Sequence, residues 1–100
     1  MKSLEKFQRV INYTFKNASY LREALTHKSY AFEKKSAERD NQRLEFFGDA
    51  ILEVIASEYL FDRYRDSGEG DLTKIRSAMT RGEALYELAS KIDLDEYMYL

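Results

Sequence analysis

Apolar residues recur along most of this chain at three- and four-residue spacing, the period of helices with one buried face. Leu4, Phe7, Val10 and Ile11 follow that spacing, and Ser3 stands where an N-cap belongs, so a first helix is predicted from residue 3 to about residue 12. The stretch YTFKNAS reads as a turn carrying two aromatics, and a second helix is predicted from about Ser19 to Thr26 through Leu21, Ala24 and Leu25. The polar run THKSYAFEKKSAERD reads as a loop anchored by Tyr30 and Phe32. The longest element comes next, capped by Asp40 or Asn41 and running to about Arg65. On it Leu44, Phe47, Ile51, Val54, Ile55 and Phe61 share one side, which predicts its core face. RDSGEGD ends it with Gly68 and Gly70, and Asp71 is placed to cap the next helix. LTKIRSAMTRGEALYELASKI predicts one interrupted helix or two short ones, broken between Thr80 and Gly82. The apolar finish DLDEYMYL reads as a domain cut before its last elements. The expected fold class is therefore all-α, in one domain spanning residues 1–100.

Composition narrows this picture. The 100 residues, 44% of them hydrophobic and 14% aromatic, suffice for a single modest core. The absence of proline favours helix, and the absence of cysteine excludes disulfides, thiolate metal sites and cysteine nucleophiles. The start, MKSLEKFQRV, is too charged for a signal peptide, and no run is long and apolar enough for a membrane span. A cytoplasmic setting is the expectation. A net charge of −2 gives no overall basic field, so a nucleic-acid partner would need basic residues grouped locally.

The stretch NQRLEFFGDAIL, residues 41–52, stands out. Gln42, Glu45, Asp49 and Glu53 fall within an arc of about 80°, opposite the apolar stripe. Carboxylates one turn apart repel. Gly48 weakens the helix by about 1 kcal/mol relative to alanine, an unforced cost unless backbone or ligand approaches closely there. Phe46 is a large apolar group on the polar side. A solvated acidic face explains the carboxylates but neither Gly48 nor Phe46. A divalent cation between Glu45 and Asp49 would turn their repulsion into ligation, and hard oxygen donors suit Mg²⁺. A partner could cover Phe46.

NQRLEFFGDAIL resembles the signature segment of the ribonuclease III family, whose usual form is close to N-E-R-L-E-F-L-G-D-A-V-L. LTHKSYA (25–31) is similar to the family's second-helix segment, and GEGDLTKIRSAMT (68–80) to its E-G-D-L-S-x-x-R-A-x-L-V segment. The resemblance covers essentially the whole chain. It implies the helical endonuclease-domain fold, ended before its last helices and without the double-stranded-RNA-binding domain. It implies a hydrolase cutting double-stranded RNA to 5′-phosphate and 3′-hydroxyl ends, with Mg²⁺ as cofactor and Mn²⁺ able to substitute. Glu45 and Asp49 match catalytic metal ligands, and Glu69 matches an acidic catalytic position at the edge of the cutting valley. Gln42 stands where the family most often has Glu, a departure that removes one charge but leaves a supporting acceptor. Phe46 matches an aromatic that enters a pocket of a second subunit, which implies a homodimer. The family's late D-x-x-E helix has no counterpart here, and the similarly spaced Asp93 and Glu96 lack its small apolar neighbours.

Lys28, Arg43, Lys74, Arg76 and Arg81 are candidate phosphate contacts, each weighed against a plain surface charge. His27 reads as a packed or hydrogen-bonded residue. A non-catalytic dimeric RNA-binding or scaffold member of the same fold is the main alternative, favoured by Gln42. A di-iron helical bundle fails for want of Glu-x-x-His pairs. A generic helical interaction module leaves the three matched segments unexplained.

Overall fold

A computed structural model of the chain describes residues 3–34 and 39–100. Among the described residues six helices occur in order: α1 Leu4–Ile11, α2 Ala18–Ala24, α3 Lys28–Lys34, α4 Gln42–Arg63, α5 Glu69–Thr80 and α6 Gly82–Lys91. A 3₁₀ turn, Leu94–Tyr97, comes last. The expected all-α class holds among the described residues.

Ser3 caps α1 by accepting the Lys6 N–H at 3.1 Å. The helix ends at Asn12, whose φ of 56° lies in the left-handed region that asparagine tolerates. Gln8 then fastens the turn: its amide donates to the Leu4 carbonyl, and its Oε1 accepts the Phe15 N–H at 2.8 Å. The second helix starts earlier than the sequence predicts, because Asn17 accepts the Ser19 N–H and acts as its cap. The predicted loop after Thr26 is, through Lys34, a helix instead. His27 starts it: its carbonyl accepts the Tyr30 and Ala31 N–H groups, and its Nδ1 accepts from Ser29. Side-chain capping by histidine is less common than by Ser, Asp or Asn, so the polar composition concealed this helix. The part of the predicted loop at residues 35–38 lies outside the described residues.

The core is built from the two chain ends. Phe7, Leu21, Leu25 and Tyr97 are buried together, with Leu4, Ile11, Phe15, Ile92, Leu94 and Met98 packed around them. The Phe7 and Tyr97 rings meet with centroids 4.9 Å apart. A short parallel bridge between Thr26 and Tyr99 joins the last residues to the segment between α2 and α3.

The long helix α4 departs most from expectation. Its predicted core face is exposed: Phe47, Ile51, Val54, Ile55 and Phe61 are all among the large exposed hydrophobics. Ala56 and Leu60 are buried instead, and they lie on the side of the carboxylate stripe. The reason is where α5 docks. It packs antiparallel to α4 on that side, with Glu69 and Leu72 beside Leu60 and with Thr80 reaching Glu53. Leu44, at the end of the arc near α2, is half-buried, and the rest of the arc stands exposed among the described residues. Asp71 lies within the first turn of α5, whose N-cap position is Gly68, so the expected cap by Asp71 does not form. The break between Thr80 and Gly82 is observed, with Arg81 extended between α5 and α6.

Candidate active site

Glu45, Asp49 and Glu53 succeed one another at single-turn spacing along α4, yet the fold treats them differently. Glu53 meets α5: the Arg76 Nε lies 3.2 Å from its Oε2, and the Thr80 hydroxyl 3.3 Å from its Oε1. Arg76 also donates to the Ser57 hydroxyl at 2.9 Å, and Ser57 donates back to the Glu53 carbonyl. This charge is neutralised within the fold. Arg76, a candidate phosphate contact by sequence, is thereby engaged as a strut between α4 and α5.

Asp49 and Glu45 stand one and two turns nearer the N-terminus, beyond the end of α5. Both are exposed, and their carboxylates have no ion pair or hydrogen bond among the described residues. The result is a small acidic surface whose two carboxylates are unpaired among the described residues. Two free oxygen-donor groups one turn apart fit a hard divalent cation that keeps waters and takes further ligands elsewhere. Among the described residues, no group of three or more His, Asp or Glu side chains comes together to hold a metal.

Glu69 lies apart from this pair. It opens α5 next to Leu60 and Phe61, and Leu60 is fifteen residues from Glu45, about 22 Å along a helix. Within one chain Glu69 does not join Glu45 and Asp49.

Gln42 opens α4, and both its polar groups address Asp40. Its backbone N–H donates to Asp40 Oδ1 at 3.1 Å, and its side-chain amide to Oδ2 at 2.9 Å. These two bonds, with smaller contributions from the charges of Lys28 and His27, hold the Asp40 carboxyl below its ordinary value. A glutamate at position 42 would instead face Asp40 with a like charge. Asp40 thus supplies the capping oxygen for α4, while Asn41, the other predicted cap, has no capping side-chain bond.

Phe46 is 83% exposed and lines an open groove of about 670 Å³ with Tyr20, Glu23, Arg39, Arg43 and Phe47. Gly48 has open space around it: a Cβ there would meet nothing within 4 Å, so the close approach expected there is absent among the described residues. Lys28, Arg43 and Lys74 are exposed, and Arg81 forms a long, exposed pair with Glu83 at 3.9 Å. Asp93 is the left-handed residue preceding the 3₁₀ turn and accepts the Glu96 N–H there, so this D-x-x-E pair serves a turn. No described helix is long and apolar enough to cross a membrane.

Residues 17–100 match the family described as Ribonuclease-III-like. The chain is 46% identical over 99 residues to the Ribonuclease 3 of Carboxydothermus hydrogenoformans, covering 98% of this chain and 42% of that protein. It is 46% identical over 98 residues to the Ribonuclease 3 of Pseudomonas putida, covering 98% and 40%. A crystal structure of the nuclease domain of ribonuclease III from Campylobacter jejuni superposes with a TM-score of 0.84 at 37% identity, over 98% of this chain and 63% of that one. A second structure of that domain gives 0.86 at 35%, over 96% and 64%. The chain therefore spans about two fifths of the curated relatives and just under two thirds of the solved domains. On the match of the family to 84 consecutive residues, this chain belongs to the ribonuclease-III-like family.

Proposed function

We propose that the complete protein is a divalent-metal-dependent endoribonuclease that cuts double-stranded RNA by phosphodiester hydrolysis, leaving 5′-phosphate and 3′-hydroxyl ends. One observation carries this reading: among the described residues, Glu45 and Asp49 are the two carboxylates of the α4 stripe left unpaired, while the third is neutralised by Arg76. They would hold Mg²⁺, or Mn²⁺ in its place. When bound, such an ion activates water and stabilises charge on a leaving oxygen. The chain's own residues supply the remainder. Glu45 and Asp49 provide the negative field that selects a cation, and Arg76 keeps Glu53 out of that field. Gln42 borders the pair with a neutral amide. Lys28, Arg43 and Lys74 are exposed for phosphate, and a duplex read by shape and 2′-hydroxyls requires no base-specific groups. Glu69, distant from the pair in one subunit, lies at the edge of the proposed cutting valley.

The protein is proposed to act as a homodimer in the cytoplasm. The solved Campylobacter jejuni nuclease domain is described as having a region involved in dimer formation, and the outward Phe46 supports the same assembly here. The test is cleavage of a long RNA duplex by the complete protein with Mg²⁺, with the product ends analysed. Cleavage in excess chelator, or by Asp49→Ala at the parent rate, would overturn the proposal. Gln42 favours one other reading, a non-catalytic dimeric RNA-binding or scaffold protein of the same fold. Binding of the duplex without cleavage under all metal conditions would select it.

A further inference from the structure

We infer that Asn41 is a positioning residue that sets the orientation of the first turn of α4, and with it Glu45. Asparagine at a helix start ordinarily accepts an N–H of the first turn through its side-chain oxygen. Here Asp40 does that, and Asn41 turns the other way. Its Nδ2 donates to the Ala24 carbonyl at 3.1 Å, seventeen residues back in the chain. An acceptor of that kind can face only the NH₂ end of the amide. The Asn41 backbone N–H donates to the Thr26 carbonyl at 2.9 Å, and the Asn41 carbonyl accepts the Glu45 N–H at 2.8 Å. A line of hydrogen bonds thus runs from the α2–α3 connection through Asn41 to the first candidate ligand.

The anchoring segment is itself buried and hydrogen-bonded on both sides. Thr26 is 1% exposed, and its hydroxyl donates to the Arg22 carbonyl at 2.6 Å. On its far side, Tyr99 donates to the Leu25 carbonyl at 2.8 Å and accepts the His27 N–H at 2.9 Å. Around Glu45, by contrast, side-chain packing is thin: Phe46, Phe47 and Ile51 are exposed, and α5 ends at Thr80, beside Glu53. Where packing does not hold a helix, its hydrogen-bonded start decides how its first turns are aimed.

This inference rests on the reading of Glu45 and Asp49 as metal ligands, and the experiment separates the two. Mn²⁺ is titrated into the complete protein while paramagnetic broadening at Glu45 and Asp49 is followed by NMR. The variants are Asn41→Ala and Asn41→Leu, neither of which adds a charge. Leu60→Val serves as a control that lowers stability at the other end of α4. Both Asn41 variants are expected to weaken Mn²⁺ binding at least threefold, and to speed amide exchange at residues 41 and 45 by a similar factor. Leu60→Val should melt at lower temperature with parental Mn²⁺ affinity. Equal Mn²⁺ affinity in parent and Asn41 variants, or a loss matched by Leu60→Val, overturns the positioning role. Absence of broadening at Glu45 and Asp49 in the parent overturns the metal reading itself. Unchanged exchange at residues 41 and 45 overturns the positioning role whatever the metal does.

Discussion

The Arg76 guanidinium lies 3.2 Å from the Glu53 carboxylate, and this contact divides an otherwise uniform acidic stripe in two. Toward the C-terminus of α4, the stripe is a packing surface for α5, with its charge cancelled. Toward the N-terminus, Glu45 and Asp49 are exposed and unpaired among the described residues. Three carboxylates with the same helical spacing therefore have two different fates, set by where α5 stops.

Glu45→Ala or Asp49→Ala in the complete protein is expected to reduce cleavage of a long RNA duplex to near background while duplex binding persists. Gln42→Glu should be tolerated or mildly activating. Initial cleavage rates with Mg²⁺, measured beside a gel-shift titration, decide between these outcomes. An active Asp49→Ala would remove the assigned chemistry.

Disruption of the Glu53–Arg76 contact should affect stability before anything else. Both side chains are over a third exposed, so solvent screening limits the pair to about 1 kcal/mol or less. Thermal unfolding of Glu53→Ala, Arg76→Ala and the double variant gives the coupling directly. A coupling of zero would mean that this contact does not hold α5 in place.

Asp40 should leave a mark on acid unfolding. Its carboxyl is held below 3.8 first by the Gln42 backbone N–H, then by the Gln42 side-chain amide, with smaller help from Lys28 and His27. A depressed carboxyl stabilises the fold above its unfolded value, and that stabilisation is lost as pH falls through the folded value. The stability difference between parent and Asp40→Ala should thus be constant near neutrality and shrink below about pH 4. Gln42→Glu should move this loss to higher pH, because two carboxylates would then face each other. Chemical denaturation across pH 2–7 measures both, and an unchanged difference at low pH would refute the assignment.

Gly48→Ala is expected to stabilise the isolated chain by about 0.5–1 kcal/mol, since alanine is the better helix former and a Cβ has room there. Calorimetry should show a rise of a few degrees in Tm. If the rise is seen while self-association or Mn²⁺ binding weakens, a partner or ligand approaches Gly48 in the assembled state. No rise at all would contradict the open surroundings of Gly48.

Phe46→Ala should lower self-association of the complete protein with helix content kept. A buried Phe side chain is worth roughly 1.5–3 kcal/mol, and two-fold symmetry uses the contact twice. The dissociation constant should therefore rise about two orders of magnitude or more. Sedimentation at matched concentrations tests this, and an undisturbed dimer would sink the assembly.

Local chemistry determined much of this protein in advance. The spacing of Leu4, Phe7 and Ile11 behind Ser3, the long helix from position 42 and the break between Thr80 and Gly82 are all legible along the chain. Each depends on neighbours within a turn or two, as helix period and capping do. The one-turn spacing of Glu45 and Asp49 is legible for the same reason, and three matched segments point to the family. Tertiary structure decided the rest. Periodicity shows that α4 has an apolar arc and an acidic stripe, but not which side a neighbour will take. Here α5 took the acidic side, leaving Phe47, Val54 and Ile55 uncovered by any described element. The helix after His27 was hidden because its start relies on a histidine and a backbone carbonyl. The resemblance matches Glu69 to an acidic catalytic position at the edge of a valley, and only the length of α4 shows that it stands about 20 Å from Glu45 within one chain. Asn41 and Asp40 both read as caps, and only the position of the Ala24 carbonyl determined which of them caps and which anchors. Side-chain spacing along one helix is local, whereas the partner of a carboxylate or an amide depends on chain brought in from elsewhere.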